Sequence, residues 1–326
     1  MKSNPLVSIV VLNYNGIKYL RETIPLLLKQ NYPNYEVIFV DNGSSADNIE
    51  FIKKNKDIKL IQNNRNLGYN LGKNIGVNES NGEFVLLLDD DIKIRDPNFL
   101  RSILFYYEKI KKSGENIGFL SPLLIDFGDE KTKYYGIYYS LYGKKINKKE
   151  KLTKILSHEG DIKIGSFNGA AVFFEKKVWM HLKGYDEDYV FGMDDFDIGA
   201  RAYNLGYTNY LFKDHLVHIG KNKDSNKKHF AHKFSFYYEG IITMVIKNYN
   251  TKNFILFLLV YPMYLFLLNI FLIFYKMNLY LIFSPIIGLF SFFKKYGALK
   301  EKRKINQMER ITQNDIFLRI KIPKFK

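Results

Sequence analysis

The chain has 326 residues, 47% of them hydrophobic and 25% charged, which is globular composition with room for one large domain or two ordinary ones. It contains no cysteine, which excludes disulfide frameworks, zinc fingers and thiol nucleophiles and leaves oxygen and imidazole as metal ligands. The net charge of +16 is uneven: residues 1–220 hold 30 basic and 28 acidic side chains, and residues 221–326 hold the other 19 and 5.

Short β-branched runs alternate with helix-length segments over the first 112 residues, which indicates an α/β fold with a mainly parallel sheet. The predicted strands are Val7–Leu12, Glu36–Val40, Ile58–Gln62 and Glu83–Leu88. The predicted helices are Lys18–Gln30, Asp47–Asn55, Tyr69–Glu79 and Pro97–Lys112. Ligands of such sheets bind at the carboxyl ends of the strands, so the polar residues that follow each strand are candidates for a site.

A glycine-rich segment covers the start of the third predicted helix. Gly68, Gly72 and Gly76 are four residues apart, a spacing that matches neither the dinucleotide-binding G-x-G-x-x-G pattern nor a P-loop. Glycines at this spacing lie along one face of a helix and predict close approach of that helix to a neighbouring element or to a ligand.

Three adjacent carboxylates, Asp89, Asp90 and Asp91, follow the fourth predicted strand. Ionised carboxylates this close repel one another unless a cation lies among them. Side chains alternate along an extended chain, so Asp89 and Asp91 are expected on one side and Asp90 on the other. Without thiols, two carboxylates suit Mg²⁺ or Mn²⁺, and a solvated acidic turn is the structural alternative.

A second acidic cluster, Asp194, Asp195 and Asp197, opens a predicted helix. The helix dipole accounts for acidic residues in a first turn, and Asp197 can pair with Arg201 at i,i+4. These effects leave Asp195 unexplained. A carboxylate close to a metal-bound phosphate is what a general base for hydroxyl activation requires.

Seven short motifs occur in order between about residues 5 and 220. They are VSIVVLNYNG at 7–16, VDNGS at 40–44, NRNLGY at 64–69, LLLDDD at 86–91, FNGAA at 167–171, GYDE at 184–187 and MDDFD at 193–197. With these motifs the chain resembles the family 2 inverting glycosyltransferases of GT-A fold. Within that family it is similar to the rhamnosyl and galactofuranosyl transferases of cell-surface glycan synthesis.

The resemblance implies a donor site for a nucleotide sugar, with UDP or dTDP sugars as the expected donors. The nucleotide base and ribose would contact Asn13, Tyr14 and Asp41. Asp90 would contact the sugar nucleotide, and the segment Asn168, Gly169 and Ala170 would line the donor pocket.

The resemblance also implies a metal site and a catalytic base. Asp89 and Asp91 match the D-x-D pair that coordinates Mg²⁺ or Mn²⁺, and His218 matches a histidine that completes the metal site. Asp195 matches the base. Asp194 stands where most relatives have Glu, so either aspartate remains a candidate for that role.

The segment from Asn253 to Phe293 contains one charged residue, Lys276. Phe254–Tyr275 exceeds the roughly 20 residues that cross a bilayer as a helix, and Met277–Phe293 is marginal. Basic residues flank the segment on both sides: Lys247, Lys252, Lys294, Lys295, Lys300, Lys302, Arg303 and Lys304. Such flanks are enriched on the cytoplasmic side, which favours a helical hairpin turning near Lys276, or two interfacial helices, over one crossing. A buried helical pair packed on the catalytic domain is the alternative.

The expected organisation is a GT-A catalytic domain at 1–220, a basic helical connector at 221–252, apolar membrane helices at 253–293 and a basic cytoplasmic tail at 294–326. The apolar run near Met1 is too short for a signal peptide, so the catalytic domain is expected at the cytoplasmic face of a membrane.

The resemblance implies metal-dependent, inverting transfer of a sugar to a hydroxyl of a glycan or lipid-linked acceptor. The alternative from another class is a catalytically inactive, membrane-tethered protein that binds nucleotide sugars or glycans. Nucleic acid is not an expected partner, because the sequence has no helix-turn-helix or RNP motif. A basic tail beside an apolar block points to anionic lipid.

Overall fold

The structure is a computed structural model that describes residues 4–127, 129–140, 146–189, 192–220, 227–312, 316 and 320. Parts of the predicted connector and tail, at 221–226, 313–315, 317–319 and 321–326, lie outside the described residues. The twelve candidate site residues named from the sequence, from Asn13 to His218, all lie within the described residues.

The strands form one twisted sheet in the order β3-β2-β1-β4-β10-β6-β11-β5, with β9 beside β11 and a β7–β8 hairpin extending from β6. Their bounds are β1 Val7–Asn13, β2 Tyr35–Asp41, β3 Ile58–Gln62, β4 Phe84–Asp89, β5 Ile92–Lys93, β6 Ile117–Asp126, β7 Asp129–Tyr138, β8 Ile146–Lys151, β9 Ile162–Ile164, β10 Ala171–Glu175 and β11 Thr208–His218.

The helices cover both faces of the sheet and then form a separate C-terminal layer. Their bounds are α1 Ile17–Leu27, α2 Ala46–Lys53, α3 Tyr69–Asn78, α4 Phe99–Lys112, α5 Leu152–Ser157, α6 Lys176–His181, α7 Asp194–Asn204, α8 Lys227–Asn248, α9 Thr251–Lys276 and α10 Ser284–Met308, with a 3₁₀ helix at Leu279–Phe283.

The four predicted strands and four predicted helices of the N-terminal half are confirmed to within a few residues at each end. Strands β1 to β4 are parallel to one another, as predicted, and the sheet becomes mixed beyond β4, where β10 is antiparallel. Alternate residues of β1 enter different cores: Ile9 and Val11 pack with α1 and α4, whereas Val10 and Leu12 pack with α3 and α7. A sheet covered on both sides produces this pattern of uniformly apolar strands.

The glycines of α3 serve close helix packing. A Cβ at Gly72 would lie 2.6 Å from the side chain of Leu12, and one at Gly76 would lie 2.5 Å from Val10. No larger residue fits at this distance, so α3 lies directly against β1. Gly68 precedes the helix with φ +88°, in the region that favours glycine.

Helices α8, α9 and α10 pack on the N-terminal part of the chain, the sheet and helices up to β11 (called the catalytic half below), through one continuous hydrophobic core. That core joins Tyr139, Met193 and Phe196 to apolar residues of all three helices. A Cβ at Gly240 of α8 would lie 2.9 Å from Met193, and one at Gly288 of α10 would lie 2.6 Å from a carbonyl of α8. The predicted boundary at 293 falls inside α10, and the one at 252 falls inside α9.

Both α9 and the segment Leu279–Met308 are long and apolar enough to cross a membrane, by length and composition alone. The chain turns between them at Met277, which has φ +46°, so the turn lies beside Lys276 as predicted.

A buried cluster of charges joins α8 and α10 to the segment before α7. The ammonium of Lys247, a residue only 1% exposed, lies 3.0 Å from Oδ1 of Asp197 and 2.5 Å from Oδ2 of Asp186. Lys302 of α10 binds Asp186 at 2.9 Å. The predicted pair of Asp197 with Arg201 is confirmed at 2.7 Å.

Four of the basic residues that the sequence places beside a membrane bind the protein instead. Besides Lys247 and Lys302, the ammonium of Lys295 contacts Glu239 at 2.7 Å, and the guanidinium of Arg303 donates to the carbonyl of Tyr249 at 2.9 Å. The positive charge available to a lipid surface is therefore smaller than the sequence count indicates.

Substitution of Lys247 by Met should lower the free energy of unfolding by roughly 3–5 kcal/mol, because it removes the buried cation that Asp186 and Asp197 share and leaves them only Lys302 and Arg201. Chemical denaturation measures this effect. The matched control is Lys54→Met, which breaks an exposed pair with Glu50 and should cost less than about 1 kcal/mol. Equal losses for the two variants would contradict a structural role for the buried cluster.

Acid should weaken the same cluster. Burial alone would raise the pKa of Asp186, but Lys247 and Lys302 outweigh burial and hold its pKa well below the ordinary value. A depressed carboxylate pKa contributes stability that is present above the unfolded value of about 3.9 and is lost as pH falls below it. Asp186→Asn should therefore flatten the decline of unfolding free energy between about pH 5 and pH 2, by up to about 1.4 kcal/mol per pH unit. Identical slopes would refute the assignment.

Candidate active site

The ends of β1 and β2 form a polar corner at the carboxyl edge of the sheet. Asn13 and Asp41 are opposite each other in the parallel register. The amide of Asn13 donates to Oδ1 of Asp41 at 2.9 Å, and the backbone N–H of Ser44 donates to Oδ2 of Asp41 at 3.0 Å. The two buried residues predicted to contact a nucleotide are thus brought together.

The loop after β1 wraps around Asp90. The backbone N–H of Tyr14 donates to Oδ2 of Asp90 at 3.4 Å, while the Tyr14 ring is 51% exposed. A Cβ at Gly16 would lie 2.0 Å from the same oxygen. Burial, together with the charges of Asp91 and Asp89, raises the pKa of Asp90 to about 7. The carboxyl edge of the sheet therefore carries more negative charge, from its three aspartates, than the neighbouring basic residues neutralise.

Asp89 faces a buried lysine. The ammonium of Lys73 on α3 lies 2.7 Å from Oδ1 of Asp89 and also donates to the carbonyl of Gly169 at 2.6 Å and to the hydroxyl of Tyr69 at 2.5 Å. Burial raises the pKa of Asp89, and Lys73 counters part of that rise. Lys73 therefore fixes one carboxylate of the D-x-D pair in place.

Asp91 faces His218 at the end of β11. Its Oδ2 lies 3.1 Å from Nε2 of His218, whose Nδ1 lies 3.4 Å from Oδ1 of Asp126. The other oxygen of Asp91 is buried and has no hydrogen-bond partner among the described residues. Across the described part of the chain, no three carboxylate or imidazole groups close into a complete metal-binding cluster.

The segment Asn168–Ala170 crosses the end of β4. The carbonyl of Ala170 accepts the backbone N–H of Asp89 at 2.9 Å, and the side chain of Asn168 accepts the backbone N–H of Ala170 at 3.1 Å. A Cβ at Gly169 would lie 2.8 Å from the hydroxyl of Tyr69, so glycine permits this approach. The predicted pocket segment therefore lies beside the aspartates.

Asp194 and Asp195 are buried in the first turn of α7. The hydroxyl of Ser166 donates to the backbone carbonyl of Asp195. Met193, the residue before the helix, has φ +145°, a strained value for a residue with a side chain. The turn into α7 is held by the protein around it.

The two acidic clusters converge on a pair of buried phenols. Burial raises the pKa of Tyr69 and of Tyr185 well above the ordinary value, and the charges of Asp89, Asp194 and Asp195 raise both further. The rings of the two tyrosines lie 6.1 Å apart between their centroids. Carboxylates from both β4 and α7 therefore contribute to the electrostatic field at these two tyrosines.

Sequence reasoning missed Lys73, Tyr69, Tyr185 and Asp126. A lysine in the middle of a glycine face was the available signal for Lys73, because that face packs against the sheet. Asp126 follows the strand rule that was applied only to the first four strands: it ends β6 and is the register partner of His218. Tyr69 and Tyr185 stand in the motifs NRNLGY and GYDE, but these motifs do not show that the two side chains meet.

A cavity of about 530 Å³ lies to the side of this site. It shares Tyr185 with the site, but its other walls come from the buried charge cluster and α10, including Lys247, Lys302 and Asn306. The geometry of the aspartates, and not this cavity, defines the candidate site.

The glycosyl transferase family 2 model matches residues 8–168, which contain Asn13, Asp41 and the three aspartates after β4. An uncharacterized glycosyltransferase from Haemophilus influenzae is 36% identical over 113 residues, which are 33% of this chain and 35% of that protein. The chain thus spans about a third of that relative. An uncharacterized glycosyltransferase from Methanocaldococcus jannaschii is 26% identical over 74% of this chain and 87% of its own length.

The fold has a close counterpart among solved structures. The crystal structure of GalNAc-T7 with UDP, GalNAc and Mn²⁺ superposes with a TM-score of 0.60 at 16% identity, covering 75% of this chain and 48% of that one. The family match confirms the family 2 part of the resemblance, and this likeness confirms the GT-A fold. Residues 8–168 therefore form a glycosyl transferase family 2 domain, and the chain has the GT-A fold.

Proposed function

We propose that the chain is a metal-dependent, inverting glycosyltransferase that moves a sugar from a nucleotide-diphosphate donor to a hydroxyl of a glycan or lipid-linked acceptor, at the cytoplasmic face of a membrane. The observation that carries this proposal is the group of three carboxylates after β4, where the ammonium of Lys73 lies 2.7 Å from Asp89 and Nε2 of His218 lies 3.1 Å from Asp91. These groups lie at the carboxyl edge of the sheet, where ligands of α/β sheets bind.

The polar residues at the ends of β1 and β2 bind the nucleotide-sugar donor. The hydrogen bonds between Asn13, Asp41 and Ser44 fix acceptors and donors for the base and ribose. The exposed ring of Tyr14 offers a flat apolar surface beside that corner. Asn168–Ala170 close the other side of the pocket, next to Asp89.

The residues present fit a divalent cation. The buried, unpartnered oxygen of Asp91 needs a positive partner, and Nε2 of His218 is beside the same carboxylate. Asp126 would accept a hydrogen bond from Nδ1 and so orient His218, as carboxylates commonly do for metal-bound histidines. Mg²⁺ and Mn²⁺ bind through one or two carboxylates and complete their coordination with substrate phosphates and water, which suits an incomplete protein cluster. Such a cation would, when bound, neutralise the charge of a departing diphosphate.

The reaction then divides between the chain's own groups. The carboxylate of Asp195 removes the proton of the acceptor hydroxyl while the oxygen of that hydroxyl bonds to the anomeric carbon of the donor sugar. The bond from that carbon to the phosphate oxygen breaks, and the electron pair leaves with the nucleoside diphosphate. Attack opposite the leaving group inverts the anomeric configuration. Lys73 holds Asp89 in position through this step.

Loss of the metal ligand should abolish transfer. Asp91→Ala is expected to remove turnover and metal-dependent donor binding while the fold persists, measured by transfer from a panel of nucleotide sugars with Mn²⁺ and by circular dichroism. Asp126→Asn should keep activity but raise the Mn²⁺ concentration for half-maximal rate about 10–100-fold, because it loosens only the orientation of His218. Full wild-type activity in excess EDTA would refute metal dependence.

The base assignment is tested by a matched pair of substitutions. Asp195→Asn keeps size and most hydrogen bonds but cannot accept a proton, so the rate of transfer should fall about 10²–10⁴-fold with donor affinity retained. Asp194→Asn, one position away in the same helical turn, should retain most activity. The reverse pattern would assign the base to Asp194, and no turnover by the wild type with bound donor would favour an inactive binding protein.

A further inference from the structure

The inner face of α9 is occupied along its whole length. Phe257, Tyr261, Leu265 and Leu272 recur on one side of the helix and are buried. The first three join the core shared with α8 and α10, and Leu272 packs with Ala231 near the start of the described side chains of α8. Helix α9 therefore runs back along α8 from its first turns to its last.

Helix α8 is in turn fixed to the catalytic half. Its Gly240 approaches Met193, and its Lys247 pairs with Asp186 and Asp197. An α9 that turned to cross a bilayer would have to leave α8 and expose this buried stripe, or take α8 and its charged residues with it. Helix α9 has 26 residues and spans about 39 Å, so its length permits crossing, whereas its buried stripe favours a position along α8.

The outer face of the layer is apolar and uncovered in the described part of the chain. Phe266 of α9 is 65% exposed, and it has similarly exposed apolar neighbours on all three elements. These are Leu259, Met263, Leu267, Phe271, Phe274, Leu279, Phe283, Ile286, Phe290 and Phe293. A continuous apolar surface of this extent marks a partner or a membrane.

The charges at the rim of this face select an anionic lipid surface. Lys252, Lys294 and Lys300 are exposed at the ends of α9 and along α10, and the ammonium of Lys294 lies 4.7 Å from the ring centroid of Phe290. Basic groups around an apolar face are the arrangement of helices that lie in the headgroup region of a leaflet.

We infer that the outer face of α9, the 3₁₀ helix and α10 docks in the plane of an anionic leaflet, and that neither helix crosses the bilayer. This inference rests on the membrane location in the proposed function and adds the mode of attachment. Helix α8, which approaches Met193 through Gly240, then lies between the turn into α7 and α9. A lipid-linked acceptor would reach the site through its head group while its tail stays in the leaflet.

The absence of cysteine makes the topology directly testable. Met277, at the turn after α9, is 74% exposed, and Phe105 on α4 of the catalytic half is 76% exposed. Single cysteines at these positions, Met277→Cys and Phe105→Cys, are treated with a membrane-impermeant maleimide on either side of sealed membranes containing the full chain. Phe105→Cys should react only from the side of the membrane that carries the catalytic half. Met277→Cys should react from that same side, or only after detergent if the leaflet covers it. Reaction of Met277→Cys from the opposite side would establish a spanning hairpin and overturn the inference.

Vesicle binding tests the choice of partner. The full chain should sediment with vesicles of equal phosphatidylcholine and phosphatidylglycerol, and more weakly with phosphatidylcholine alone. Phe266→Asp should lower the partition coefficient onto vesicles about ten- to a hundredfold, which corresponds to the transfer free energy of one buried Phe side chain. The matched control, Phe105→Asp, should leave the partition coefficient unchanged. Docking on lipid would be contradicted if the wild type stayed in solution without binding vesicles. It would also be contradicted if the wild type formed a dimer without detergent and Phe266→Asp dissociated that dimer.

Transfer to a soluble acceptor, measured on the same preparations, separates this inference from the proposed function. Transfer without vesicle binding would refute the docking alone. Vesicle binding with correct maleimide labelling but no transfer would refute the function alone.

Discussion

The ammonium of Lys247 lies between Asp186 and Asp197 with almost no contact with water, and the arrangement of the C-terminal half depends on it. Buried ions are tolerated only when they are paired and hydrogen-bonded, so this contact fixes α8 against the segment that leads into α7. The fixed helix then brings Gly240 against Met193 and supports its strained backbone. The position of Asp195 is thus set partly by a lysine that is far from it in the sequence.

The opposite condition holds at the carboxyl edge of the sheet, where negative charge is left in excess. Lys73 neutralises part of Asp89, and His218 faces Asp91, yet Asp90 still has its pKa raised to about 7. Fixed protein cations therefore hold the carboxylates apart and in place without cancelling them. A site that retains unpaired negative charge binds an additional cation, and through it a diphosphate, with little reorganisation of the protein.

Local pattern was enough to predict the first four β–α units and the aspartates that follow β4, because strand ends and helix faces are determined by neighbours in the sequence. It was also enough to place the pair of Asp197 with Arg201. The roles of Lys247 and Lys302 could not be predicted in this way, because a lysine beside an apolar stretch has the same local pattern whether it faces lipid or a buried carboxylate. Tyr69 and Tyr185 were missed for the same reason: long-range packing alone brings them together.

The continuity of α10 across residue 293 limits how this protein can be recombined with others. Its first half presents Phe290 to the outside, and its second half supplies Lys302 to the catalytic half. The exposed apolar face and the groups that support α7 are therefore not separate modules that exchange at a linker. An engineered hybrid that replaces the C-terminal helices to change the acceptor must carry over the inward-facing residues of α8 and α10, and only the outward-facing surface is open to redesign.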